Sequence, residues 1–112
     1  MDLAEACYKI SKSFPRDEAF GLTSQIRRAA TSMSANIAEG YGRESRGSFV
    51  PFLRIAQGSL KELETHLLIS ARIGILVERE LHDLLATCEE NGKMLRSLIR
   101  VVQRKQASEQ VE

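Results

Sequence analysis

The sequence predicts an all-α fold, an antiparallel up-down four-helix bundle, and three observations predict it. Apolar residues recur every three or four positions through four separate segments, and no stretch alternates as a half-buried strand would. Breakers are few: two prolines and seven glycines occur in 112 residues, and most fall where periodic segments meet. The length suits one domain, here 1–112, and the 43% hydrophobic content exceeds what a disordered chain carries.

The first helix is expected over about residues 2–14, where Leu3, Cys7, Ile10 and Phe14 form one stripe before Pro15 stops it. The second, about 21–41, carries Leu22, Ile26, Ala29, Met33, Ile37 and Gly40 and ends at Gly42. The third, about 48–73, repeats the rhythm through Phe49, Leu53, Ala56, Leu60, Leu63 and Leu67 until Gly74. The fourth, about 78–105, carries Leu81, Leu85, Cys88, Gly92, Leu95, Ile99 and Val102. Such alternation of three and four packs near-parallel helices along a left-handed seam, and short connections favour antiparallel neighbours. Two starts compete for the third helix. With Ser48 as N-cap, Pro51 falls in the first turn at little cost; with Ser45 as cap, it lies deeper and bends the helix. The tail after Lys105 has little apolar content and is expected to fray.

Charge and cysteine usage narrow the function. Sixteen Lys and Arg against fifteen Asp and Glu leave +1, so any patch that attracts nucleic acid must be local. Cys7 and Cys88 form no CxxC and no disulfide framework, so a cytoplasmic chain with reduced thiols is expected. The opening Met1-Asp2-Leu3-Ala4-Glu5 lacks a basic, apolar secretion signal. No stretch reaches the ~18 apolar residues of a membrane span, so no membrane partner is expected.

The third helix has apolar residues beyond one stripe. On a helical wheel Phe52, Ile55, Ile69 and Ile73 fall on a flank that widens the apolar arc to roughly 200°, against ~100° for an ordinary surface helix. Gly58 and Ser59 share that flank and would admit another backbone. Either the bundle wraps this helix more deeply, or copies of the chain meet there; self-association is the reading adopted. On the second helix Gln25, Arg28, Ser32 and Glu39 form a band beside the stripe, with Asn36 between band and core. Glu62 lies among the extra apolar residues of the third helix and needs a cation there. Arg28 is the candidate. Together these residues read as a polar seam or subunit contact, ahead of a catalytic acid–base pair.

Catalytic patterns are missing. Di-iron bundles use Glu-x-x-His pairs, whereas Glu62/His66 and Glu78/His82 are four apart. The Arg79–His82 spacing is too short for a helical ribonuclease pair of the HEPN type. No phosphate loop, GxSxG or zinc-ligand cluster occurs. No catalytic residue, metal or cofactor is assigned, and the chain is read as a non-enzyme.

The fourth helix is electrically divided. Residues Glu78 to Glu90 hold five acids and one base; Lys93 to Lys105 hold five bases and no acid. Lys93, Arg96, Arg100 and Arg104 project within roughly 80° of one another. Such a distribution suits the helix dipole without any ligand. It equally makes a ridge that contacts phosphates with salt-sensitive affinity, with Lys105 at its end and Arg43 and Arg46 extending it. Aromatic content is low, with four Phe and two Tyr, and the Phe residues look committed to packing, so backbone recognition without base stacking or sequence specificity fits better.

One motif block goes further. Phe14-Pro15-Arg16-Asp17-Glu18, Phe20-Gly21-Leu22-Thr23-Ser24-Gln25-Ile26-Arg27-Arg28-Ala29-Ala30 and Ala35-Asn36-Ile37-Ala38-Glu39-Gly40-Tyr41-Gly42-Arg43 stand in order. Phe52-Leu53-Arg54-Ile55-Ala56-Gln57-Gly58-Ser59-Leu60 and Glu62-Leu63-Glu64-Thr65 follow. This block, over about residues 8–76, resembles the 23S rRNA intervening-sequence proteins, four-helix bundles that assemble into homo-oligomers, commonly a ring of five. The resemblance implies a ring-like homo-oligomer, a pentamer, whose first partner is itself. Related accessory proteins of diversity-generating retroelements bind nucleic acid and a reverse transcriptase through basic surfaces. The resemblance therefore also implies RNA or DNA, and a reverse transcriptase, as partners. Pro51 and Ser34 depart from the family pattern, which usually has a non-proline and a proline there. Two functions remain in view: a homo-oligomeric bundle that holds nucleic-acid backbone, and a protein-interaction scaffold whose basic ridge docks an acidic surface.

Overall fold

The computed structural model describes residues 2–18, 20–42 and 46–111. Among the described residues four helices make up the fold: α1 (Asp2–Ser11), α2 (Leu22–Tyr41), α3 (Arg46–Arg72) and α4 (Glu78–Val111), with a 3-10 turn at Arg16–Glu18. No strand occurs among the described residues. Helix α1 packs on α2, α2 on α3, α3 on α4, and α1 also touches α4, the α2–α3 contact being the most extensive. Cross-helix contacts fix the directions. Arg28 meets Glu62, Ser32 meets Ser59 and Gly40 lies against Phe49, so α2 numbers rise as α3 numbers fall. These neighbours are antiparallel.

The stripes close into one core. Leu3, Cys7, Ile26, Ala29, Met33, Leu53, Ala56, Leu63, Leu67, Cys88 and Leu95 are all but sealed from solvent. Removing apolar area at roughly 25 cal/mol per Å² makes this stripe the main stabilising term. One expectation shifts: Leu84 is buried where Leu85 was expected, and Leu85 is only half-buried.

Three helix ends differ from expectation. Helix α1 stops at Ser11, not near 14. Backbone bonds there tighten to three-residue spacing, Lys12 to Lys9, Ser13 to Ile10 and Phe14 to Ser11, and the Ser11 and Ser13 hydroxyls donate to the Tyr8 and Ile10 carbonyls. Phe14 still reaches the core at 8% exposure. Helix α3 begins at Arg46, so Pro51 lies inside it. The reading with Ser48 as cap is therefore overturned, and the missing Pro51 N–H removes one ladder bond early in the helix. Helix α4 continues to Val111 instead of fraying after Lys105. The added segment contains neither Gly nor Pro and includes good helix formers such as Gln106 and Ala107.

The α3–α4 turn is closed by Gly74, whose φ of 85° is strained for any other residue. The Ser70 carbonyl accepts from the Ile75 N–H at 3.0 Å and the Leu76 N–H at 3.2 Å, a C-terminal cap that satisfies one of the last carbonyls. Arg27 ties the short α1 down. Its guanidinium sits 4.7 Å from the Tyr8 ring centroid, and its Nε donates to Ser11 Oγ at 2.8 Å. Ten residues make a marginal helix alone, so these contacts and the Leu3/Cys7 burial hold it. The whole chain spans 57 × 22 × 18 Å, a rod set by α4, about 51 Å long at 1.5 Å per residue. Among the described residues no helix is long and apolar enough to cross a membrane.

Candidate nucleic-acid interface

Helix α3 has two sides, one turned toward α2 and one toward α4, and each holds one of the two expected sites. On the α2 side Arg28 Nη2 donates to Glu62 Oε1 at 2.5 Å and to Gln25 Oε1 at 2.6 Å. Ser32 and Ser59 hydroxyls bond at 2.9 Å. Asn36 Nδ2 donates to the Ser32 carbonyl at 2.8 Å and weakly to its hydroxyl at 3.3 Å. His66 Nε2 lies 3.6 Å from Glu62 Oε1. Glu39 stands on the exposed edge of the same band. The structure brings Gln25, Arg28, Ser32, Asn36 and Glu62 together in one band and adds Ser59, which the wheel placed on the apolar flank.

The apolar flank is smaller than expected. Ile55, Ile69 and Ile73 are 51%, 42% and 54% exposed. Phe52 does not join them: it is half-buried, with its Cβ packed toward Gly40 of α2. Ser59 is buried in the seam, while Gly58 faces open space. The wheel grouped these residues by angle, but proximity of α2 takes up its inner edge. Three isoleucines remain uncovered within one chain.

On the α4 side lies a groove. Its floor and walls are Arg54 and Gln57 of α3 with Arg96, Ile99, Arg100 and Gln103 of α4. It continues past Gly58 and Leu60 to Lys61. Two helices that end at Arg72 and begin at Glu78 set positions equidistant from the turn level with each other. That geometry puts Arg54 opposite Arg96. The ridge expected on α4 alone is therefore one wall of a two-helix site, and Arg54, Lys61 and the two glutamines are the members that sequence reasoning missed. The register of the Gly74 turn is the signal that could have found them.

Arg96 occupies the middle of this groove. A Cβ placed on Gly92 would lie 3.3 Å from Arg96 Nη1 and 3.6 Å from Leu60 Cδ2, so the guanidinium folds back along α4 toward α3. Arg54, Arg96, Arg100 and Arg104 are all exposed. The ion pairs among the described residues involve Arg28, Lys61, His66 and Lys93, none of these four arginines. Lys93 is different, 3.8 Å from Glu89. Lys105 also stands apart: five residues beyond Arg100 on a continuous helix, it projects about 140° around the axis and leaves the ridge. Arg43 lies outside the described residues, and the Arg46 side chain does too.

The chain is similar to known proteins over most of its length. Residues 1–97 match the sequence model of a family described as 23S rRNA-intervening sequence protein. A crystal structure of a protein of unknown function from the S23 ribosomal protein family of Bacteroides thetaiotaomicron VPI-5482 superposes with a TM-score of 0.81 at 27% identity. The alignment covers 88% of this chain and 92% of that one. No curated protein matches. With four helices in place and all but the last fifteen residues matched, the chain belongs to the 23S rRNA-intervening sequence protein family.

Proposed function

We propose that this protein is a non-enzymatic, ring-like homo-oligomer, a pentamer as the resemblance implies, that holds the phosphate backbone of RNA or DNA along its α3–α4 grooves. The observation that carries this reading is the groove lining: Arg54, Arg96 and Arg100 with Gln57, Gln103 and Ile99, and no carboxylate. Guanidinium groups present forked donors suited to phosphate oxygens. Exposed cations with no ion-pair partner among the described residues exchange counterions for phosphates at little internal cost. One copy contacts few phosphates, and repetition around an oligomer multiplies the affinity by raising effective concentration. Exposed Ile55, Ile69 and Ile73 support a second copy against α3, outside the groove lining. The reverse transcriptase implied by the resemblance would be a further partner of the assembled ring.

Fluorescence anisotropy with labelled single-stranded and duplex oligonucleotides tests the reading. Binding should weaken steeply between about 50 and 200 mM salt, without sequence preference. Arg96→Glu with Arg100→Glu should abolish it while the oligomer persists in light scattering. Unchanged binding by that variant removes the groove as the site. Capture of an acidic protein with no nucleic-acid binding selects the scaffold reading instead.

A further inference from the structure

The groove does not stay basic along its length. Toward the α3–α4 turn its lining becomes Lys61, Glu64, Leu68, Leu85, Glu89 and Arg96, two cations against two carboxylates. Each of the two lysines at this boundary has a carboxylate within ion-pair distance. Lys61 Nζ lies 3.7 Å from Glu64 Oε1, and Lys93 Nζ lies 3.8 Å from Glu89 Oε1. The Glu89–Lys93 pair has its acid one turn N-terminal to its base, the favourable orientation on a helix. Glu64 is the least exposed of the four side chains at 26%, so its carboxylate stays directed into the groove. Beyond Glu89 the α4 surface is acidic through Asp83, Glu80 and Glu78.

We infer that Glu64 and Glu89 end the phosphate track and hold Lys61 and Lys93 off it. This rests on the nucleic-acid reading of the groove and adds what limits it. The open track runs from Arg96 to Arg104, about 12 Å at 1.5 Å per residue, with Arg54 on the facing wall. At ~3.4 Å of rise per strand that is about three or four phosphates for each copy. A polyanion that ran further would meet two carboxylates before gaining either lysine. Affinity per copy is thus held low by sequence, and firm binding depends on repetition of the site.

The test compares wild type with Glu64→Gln/Glu89→Gln by anisotropy across a salt series. Freeing two lysines should raise affinity on the order of threefold or more and steepen the salt dependence by up to about 0.7–0.9 logarithmic units per added phosphate. A Glu5→Gln/Glu90→Gln control removes the same charge elsewhere; an equal gain there means net charge alone acts and overturns the inference. Adding Lys61→Gln/Lys93→Gln to Glu64→Gln/Glu89→Gln should return binding to about the wild-type level, since the gain needs the freed lysines. A gain that persists in that quadruple variant overturns the inference too, because the lysines then play no part in it. Wild-type binding with an unaltered slope in Glu64→Gln/Glu89→Gln rejects the fence alone. No binding by any form rejects the groove reading itself.

Discussion

Arg28 and Glu62 join α2 to α3 through a 2.5 Å hydrogen-bonded ion pair, and the pair stands in the open, with side chains 61% and 39% exposed. Solvent screens such a pair to about 0–1 kcal/mol within one chain. Covered by another copy, the same pair would be desolvated, and removing one partner would leave a costly unpaired charge. Glu62→Gln should therefore change the unfolding free energy of the isolated chain by less than about 1 kcal/mol. It should weaken self-association by tenfold or more, each tenfold being about 1.4 kcal/mol. Urea titration and sedimentation read the two effects separately.

Two leucine-sized residues on α3 should behave oppositely. Leu63 is fully enclosed and Ile69 is 42% exposed. Leu63→Ala should cost about 2–5 kcal/mol through lost burial and a cavity. Ile69→Lys with Ile73→Lys should leave the helical content of the chain intact and abolish the proposed oligomer in light scattering. An oligomer that survives both lysines locates the contact elsewhere.

Gly40 marks a close approach of α2 and α3. A Cβ there would fall 2.6 Å from Phe49 Cδ1, 2.8 Å from Phe49 Cε1 and 3.4 Å from Phe52 Cβ. Alanine gains up to ~1 kcal/mol of helix propensity, whereas forcing an aromatic ring aside costs ~1–3 kcal/mol. The expected net result of Gly40→Ala is a loss of up to about 2 kcal/mol, seen as a lower melting temperature. Phe49→Leu in the same chain should recover part of it, since the clash is with the ring.

The two cysteines give a pH signature. Burial pushes the Cys7 thiol up to about 11; burial first, then the Glu64 carboxylate, pushes Cys88 up to about 12. The ordinary thiol titrates near 9, so above that pH the unfolded chain sheds protons the folded chain keeps. Stability is therefore whole below about pH 9 and falls as pH rises toward 11 and 12. Cys7→Ser/Cys88→Ser should flatten that decline in alkaline denaturation curves. In native protein at neutral pH both thiols should resist a thiol-specific dye, because the thiolate is the reactive form.

The sequence by itself determined the four helices, their core stripes, the seam around Arg28 and the basic half of α4. Each is a periodic or local property: a residue's angle on its own helix follows from its number, and a charge run is visible without a neighbour. What only the tertiary structure decided is which surfaces face each other. The wheel could not show that Phe52 turns toward Gly40 while Ile55 stays out, because packing distance, not angle, covers a side chain. Nor could a single wheel bring Arg54 level with Arg96, which takes the Gly74 turn as a register mark, or set Glu64 and Glu89 at one end of the groove. Those placements depend on the register between helices, which the turn at Gly74 and the close contact at Gly40 fix jointly, and neither is a property of any single segment.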